Sequence, residues 1–154
     1  MKIFQATTPE EIIQARCLFE EYAAWLKVDL CFQGFAAELA GLPGVYAPPR
    51  GRLLLALVDD EAAGCVALRH LDDYAICEMK RLFLRPAFRR QGLGRTLAER
   101  IIEEARTIGY TTMKLDTLPR IRAATHLYES LGFVRCGAYY DTPLLDTIFM
   151  DLQL

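Results

Sequence analysis

Residues 84–95 read Leu84-Arg85-Pro86-Ala87-Phe88-Arg89-Arg90-Gln91-Gly92-Leu93-Gly94-Arg95. A hydrophobic strand stops at a proline, two arginines follow, and a Gly-x-Gly turn opens a helix over roughly 93–108 with no side-chain cap at either glycine. Strand, bare glycine turn and helix in that order make an anion site. Glycine has no Cβ, so backbone N–H groups at 92 and 94 can approach a ligand closely. The first N–H groups of the helix and the positive end of its dipole point to the same place. Arg89, Arg90 and Arg95 add charge and planar donor forks that match phosphate oxygens. A pyrophosphate suits the whole run Arg89, Arg90, Gln91, Gly92, Leu93, Gly94 and Arg95.

The 154 residues suit one domain, 1–154, with a substantial core. A net charge of −2 argues against nucleic-acid binding by bulk electrostatics. No apolar run approaches the roughly 18–20 residues that cross a bilayer, so no membrane partner is expected. The first residues, Met1-Lys2-Ile3-Phe4-Gln5-Ala6, do not read as a signal peptide, which makes the cytoplasm the expected compartment. Cys17, Cys31, Cys65, Cys77 and Cys136 are scattered, odd in number and without a C-x-x-C pair, so they read as small buried residues. With His70 and His126 the only histidines, no multi-histidine metal site can form, and no metal is expected.

The pattern along the chain alternates strands and helices. Residues 1–6 alternate as a first strand. Thr8-Pro9-Glu10-Glu11 starts a helix with a threonine cap, a proline in the first turn and a glutamate closing a capping box. A short helix is predicted near 33–41, then strands over 52–58, 62–70 and 74–85, with Asp59-Asp60-Glu61 as a turn. Beyond the glycine-turn helix come a strand at 111–117, a helix at 120–131 closed by Gly132, and strands near 133–138 and 146–153. The order predicts an α/β fold with a mixed sheet and helices on both faces.

Gly-x-Gly alone is weak. A P-loop would place Lys-Ser or Lys-Thr after Gly94, where Arg95-Thr96 stand. A dinucleotide fingerprint would follow the first strand and carry a third glycine or alanine at position 97, which is Leu97. The run Arg89-x-x-Gly92-x-Gly94 behind a strand ending Leu-x-Pro instead resembles the cofactor motif of the GNAT superfamily of N-acetyltransferases. A second element, Ala124-x-x-Leu127-Tyr128-Glu129-x-x-Gly132-Phe133, is similar to that superfamily's later helix, and the strand order extends the resemblance over essentially the whole chain.

The resemblance implies a GNAT-like fold whose sheet splays between the fourth and fifth strands. Acetyl-CoA is then the expected co-substrate, its pyrophosphate on the glycine turn. Its pantetheine arm lies along the backbone of Leu82, Phe83 and Leu84 as an added strand would. The implied reaction is direct attack of an amine of a small molecule or peptide on the thioester, with Tyr128 protonating the departing thiolate. Glu78, a carboxylate among Ile76, Met79 and Leu82 in the middle of a strand, is the candidate base. Alternative readings are core packing for Tyr128, and for Glu78 an ion pair with Lys80 or Arg81. The chain departs from the family at Ile121, where an asparagine is common, which leaves Asp116, Thr117 or Arg122 to supply that contact. The acceptor is expected between 27–50 and 137–145, where Asp29, Phe32, Gln33, Phe35, Glu38, Tyr46, Tyr139, Tyr140 and Asp141 stand. Exposed late strands often pair in such proteins, so a homodimer is a further expectation. A non-catalytic acyl-CoA-binding module is the competing function, and it would need neither Glu78 nor Tyr128.

Overall fold

The computed structural model describes residues 1–71 and 75–154. Among the described residues the strands are β1 (Lys2–Gln5), β2 (Arg52–Val58), β3 (Glu61–His70), β4 (Ile76–Leu84), β5 (Thr112–Thr117), β6 (Val134–Arg135) and β7 (Ile148–Gln153), and the α-helices are α1 (Pro9–Leu26), α2 (Phe35–Gly41), α3 (Leu93–Ile108) and α4 (Arg122–Ser130). The strands form one sheet in the order β1-β2-β3-β4-β5-β7-β6, antiparallel except for the β4–β5 pair.

Local chemistry accounts for the element boundaries. The Thr8 hydroxyl accepts the Glu11 N–H at 3.2 Å, and the Glu11 carboxylate accepts the Thr8 N–H at 3.0 Å, the reciprocal capping box predicted for α1. Asp59 and Asp60 both take positive φ, 50° and 64°, the backbone twist that a two-residue hairpin between β2 and β3 requires. On α3 the residues Leu93, Leu97, Ala98, Ile101, Ile102 and Ala105 form one buried stripe.

Two apolar layers cover the sheet. On one face, α3 and α4 pack over Leu54, Leu68, Met79, Met113 and Leu115. On the other, α1 packs over Leu53, Leu55, Cys65, Ala67 and Phe83.

Several predicted boundaries shift. The helix expected at 33–41 begins at Phe35, because Asp29 caps a 3₁₀ turn at Leu30–Gln33 and Gly34 then turns left-handed. The helix expected at 120–131 is Arg122–Ser130. The strand expected over 74–85 runs from Ile76 to Leu84, and residue 74 lies outside the described residues. The strand expected at 133–138 is only Val134–Arg135. The chain then leaves the sheet edge so that Tyr139 and Tyr140 can reach carboxylates on β4 and β5. Of the cysteines, Cys65 and Cys77 are buried as expected, whereas Cys17 and Cys31 are exposed.

Candidate functional site

Parallel pairing of β4 with β5 is confined to Ile76, Cys77 and Glu78 opposite Thr112, Met113 and Lys114. Beyond that point Leu115–Thr117 pair with β7, and the β4 segment Met79–Leu84 keeps β3 as its only strand partner among the described residues. The sheet therefore opens into a V, leaving one edge of β4 beyond Glu78 without a strand partner among the described residues. A bulge helps to open it. The register against β3 shifts between Cys65↔Phe83 and Ala67↔Lys80, and Arg81 takes φ 60°.

Arg81 holds that bulge in place. Its side chain is buried, and its guanidinium makes two 2.9 Å bonds to the Glu38 carboxylate, tying α2 to β4. It also lies 5.2 Å from the Phe35 ring centroid.

A cavity of about 560 Å³ fills the V. Leu82, Phe83, Leu84, Arg89, Arg90, Gly92, Gly94, Arg95 and Tyr128 all line it. The structure thus brings together the glycine turn, the free strand edge and the later tyrosine. Of the other residues singled out in that run, Leu93 is buried with its side chain in the core, and Gln91 turns its amide to the Ala87 carbonyl at 3.4 Å. Their side chains are not on the cavity wall, so only their backbone could serve a ligand.

The turn has the geometry an anion needs. The first α3 hydrogen bond is from the Thr96 N–H to the Gly92 carbonyl at 3.1 Å, so the N–H groups of Leu93, Gly94 and Arg95 precede it. Gly92 sits at φ 80°, a conformation that disfavours any side chain. Gly94 has no such backbone reason: a Cβ there would meet only Leu84 at 3.5 Å and Leu127 at 3.9 Å, ordinary contacts. The fold tolerates alanine at 94, yet the position lines the cavity. Its empty space therefore fits a cofactor diphosphate lying against the turn. Gly94→Ala is expected to leave the melting temperature unchanged or raised, since alanine is the better helix former. Affinity for acetyl-CoA should fall by about tenfold, read by calorimetry on the same protein. A variant that binds as well as the parent would remove the diphosphate from this turn.

Arg89 is oriented by its neighbours. Its Nε donates to the Leu84 carbonyl at 2.9 Å and its guanidinium lies 4.8 Å from the Trp25 ring centroid. Arg95 is shared between Glu99 and the Ser130 hydroxyl.

Tyr128 projects from α4, with Phe133 packed edge-on at 5.8 Å. The ring belongs to the core, and the residue also lines the cavity. Its hydroxyl has no hydrogen-bond partner among the described residues. Burial, with smaller contributions from Tyr22 and Asp116, raises its pKa well above the ordinary tyrosine value.

The structure does not bring Glu78 to the cavity wall. Its carboxylate is buried, takes the Arg69 Nε at 2.9 Å on one oxygen and the Tyr139 hydroxyl at 2.6 Å on the other. The ion pair is with Arg69, not with Lys80 or Arg81. The carboxylate that does line the cavity is Asp116, whose Oδ2 accepts the Tyr140 hydroxyl. Asp116, Thr117 and Ile121 all line the cavity where the family asparagine would be sought. Arg122 lies on a separate shallow depression beside Thr125 and His126.

From the segments expected to hold the acceptor, Leu30, Gln33 and Leu144 reach the cavity. Tyr46 instead is core, edge-on to Phe19. Sequence reasoning missed Tyr22, Trp25 and Lys80, which also line the cavity. Lys80 carried the same signal as Glu78, a charge inside an apolar strand.

A mixed sheet splayed between β4 and β5, with the glycine turn, the unpaired β4 edge and Tyr128 all lining one cavity, is the arrangement of an acyltransferase fold. The model of the acetyltransferase (GNAT) family matches residues 12–133, and the chain belongs to that family. An uncharacterized N-acetyltransferase of Schizosaccharomyces pombe is 37% identical over 95% of this chain and 90% of its own length. The N-acetylaspartate synthetase of Danio rerio is 32% identical over 70% of this chain and 38% of its own length. The yncA structure from Salmonella typhimurium, determined with its cofactor acetyl-CoA, superposes with a TM-score of 0.71 at 23% identity, covering 99% of this chain and 93% of that one.

Proposed function

We propose that the protein is an acetyl-CoA-dependent N-acetyltransferase that moves the acetyl group to a primary amine by direct attack. The observation that carries this reading is one continuous cavity joining the glycine turn, the free β4 edge and Tyr128. The related N-acetyltransferases and the acetyl-CoA-bound neighbour support it.

Acetyl-CoA would supply an acetyl thioester at the apex of the V. The turn N–H groups with Arg89, Arg90 and Arg95 hold the diphosphate, and the free edge of Leu82–Leu84 takes the pantetheine arm as a strand partner. The amine nitrogen forms a bond to the thioester carbon while the C–S bond breaks. Tyr128 gives its proton to the sulfur, and its hydroxyl, with a pKa raised further by burial, is protonated throughout the neutral range. The proton lost by the amine passes to Asp116, the carboxylate that lines the cavity. Glu78 acts as a positioning residue: it holds Tyr139, whose neighbour Tyr140 holds Asp116.

The test is release of free thiol from acetyl-CoA in the presence of an amine panel. Amine-dependent thiol release above hydrolysis is expected. Tight acetyl-CoA binding with no release from any acceptor would replace this reading with a non-catalytic acyl-CoA-binding module.

A further inference from the structure

Lys80 is a cation without an ion-pair partner among the described residues. It stands on β4 opposite Ala67, on the sheet face covered by α1, whereas its neighbour Met79 packs on the α3–α4 face. Its ammonium lines the cavity, and the one side-chain partner it has among the described residues is the neutral Gln33 Oε1, at 3.3 Å. Of the other cavity-lining cations, Arg81 binds Glu38, Arg89 stacks on Trp25, Arg95 pairs with Glu99, and Arg90 stands beside the glycine turn, at the far end of β4 from Lys80. Burial lowers the Lys80 pKa, and the attraction of Glu78 and, more weakly, of Asp116 does not offset the lost water.

Across the V stands the complementary group. Asp116, on β5, shares this sheet face with Glu78 and Lys114, since Glu78 pairs with Lys114 and side chains alternate along a strand. Its Oδ2 is taken by the Tyr140 hydroxyl, and its other oxygen has no partner among the described residues. Lys80 and Asp116 feel each other electrostatically but form no ion pair among the described residues. One anion and one cation thus flank the gap on the side opposite Tyr128. Lys80 also lies four residues back along β4 from Leu84, a distance of about 13 Å from the strand end where the glycine turn begins. It is therefore placed for the acceptor rather than for the diphosphate.

We infer that the acceptor is an amine that carries its own carboxylate, a free amino acid, with Asp116 taking the ammonium and Lys80, steadied by Gln33, taking the carboxylate. This rests on the transferase reading above and narrows it. An ion-paired carboxylate satisfies an ammonium that otherwise remains desolvated, and an acceptor lacking that carboxylate leaves Lys80 as it stands, unpaired. The cavity of about 560 Å³ also has to take the pantetheine arm, and the space that remains suits a small acceptor.

The experiment measures acetyl-CoA thiol release with the proteinogenic L-amino acids and with their α-carboxamides, which keep side chain and amine but lose the negative charge. For the preferred side chain, kcat/KM is expected to be at least about thirtyfold higher for the acid than for the amide. In Lys80→Met that ratio should collapse towards one, through a rise in acceptor KM. Lys80→Arg, which keeps the charge, should retain part of it. Acetyl-CoA affinity measured on both variants reports that the site is still folded. Acid and amide used equally well by the parent, or a preference that survives in Lys80→Met, would overturn the inference while leaving the transferase standing. No thiol release from acids or amides, with release from another amine of the panel, would overturn the inference alone; no release from any amine would bring down the transferase reading with it.

Discussion

Arg81→Met is expected to lower the melting temperature by about 10 °C, from a loss of about 3 kcal/mol. The reason is where the pair sits. The Arg81 side chain is 3% exposed and that of Glu38 is 12% exposed. Removing the guanidinium strands a largely desolvated carboxylate on α2, and the penalty is that of an uncompensated charge rather than of a lost surface bridge. The double variant Glu38→Leu with Arg81→Met removes both charges and fills the space with apolar atoms. It should melt closer to the parent than Arg81→Met alone, because replacing both members of a buried pair is often near neutral. Thermal melts of the two variants decide the matter. If the double variant is as unstable as the single one, the pair is not what joins α2 to the β4 bulge. The consequence reaches function, since Gln33 precedes α2 and contacts Lys80.

What could be read from sequence follows the range of the interaction. The α1 cap, the Asp59-Asp60 hairpin and the glycine turn are each set within a few residues, and each stands where it was expected. The splay of β4 from β5 is different in kind. Nothing in the strand residues themselves specifies three paired positions followed by none, and that expectation came through resemblance. Which of the two carboxylates lines the cavity could not be read from the strand pattern for the same reason. Glu78 and Asp116 look alike in a strand pattern, and the residues that distinguish them, Tyr139 and Tyr140, lie 61 and 24 positions away in the chain. Tyr139 seals Glu78 behind the wall, whereas Tyr140 leaves Asp116 facing the cavity. The shortening of β6 comes from the same crossing, because a chain that must reach across the sheet cannot also extend its edge. Lys80 was visible as an internal charge, but its partner Gln33 is 47 residues distant, so its lack of an anion could be read only from the fold.

Tyr128→Phe should lower kcat by about 100-fold while changing acetyl-CoA affinity by less than about twofold. The substitution removes one oxygen and nothing else. The ring keeps its packing against Phe133, and the lost hydroxyl has no hydrogen-bond partner among the described residues, so no buried group is left unsatisfied. The melting temperature should therefore hold, which separates this variant from Arg81→Met. The pH profile gives a second reading. Burial raises the Tyr128 pKa, so the acid form persists through neutral pH, and turnover that depends on it is lost only when pH climbs past the raised value. An alkaline fall in kcat from this group thus belongs well above the ordinary tyrosine range, and it should be absent in Tyr128→Phe. Unchanged kcat in Tyr128→Phe would mean that solvent, not this hydroxyl, protonates the departing sulfur, and Tyr128 would then be a wall of the cavity and no more. The lowered kcat with an intact fold is the outcome expected on the proposed mechanism, because Tyr128 lines the cavity and its hydroxyl has no hydrogen-bond partner among the described residues, which leaves the oxygen no structural task.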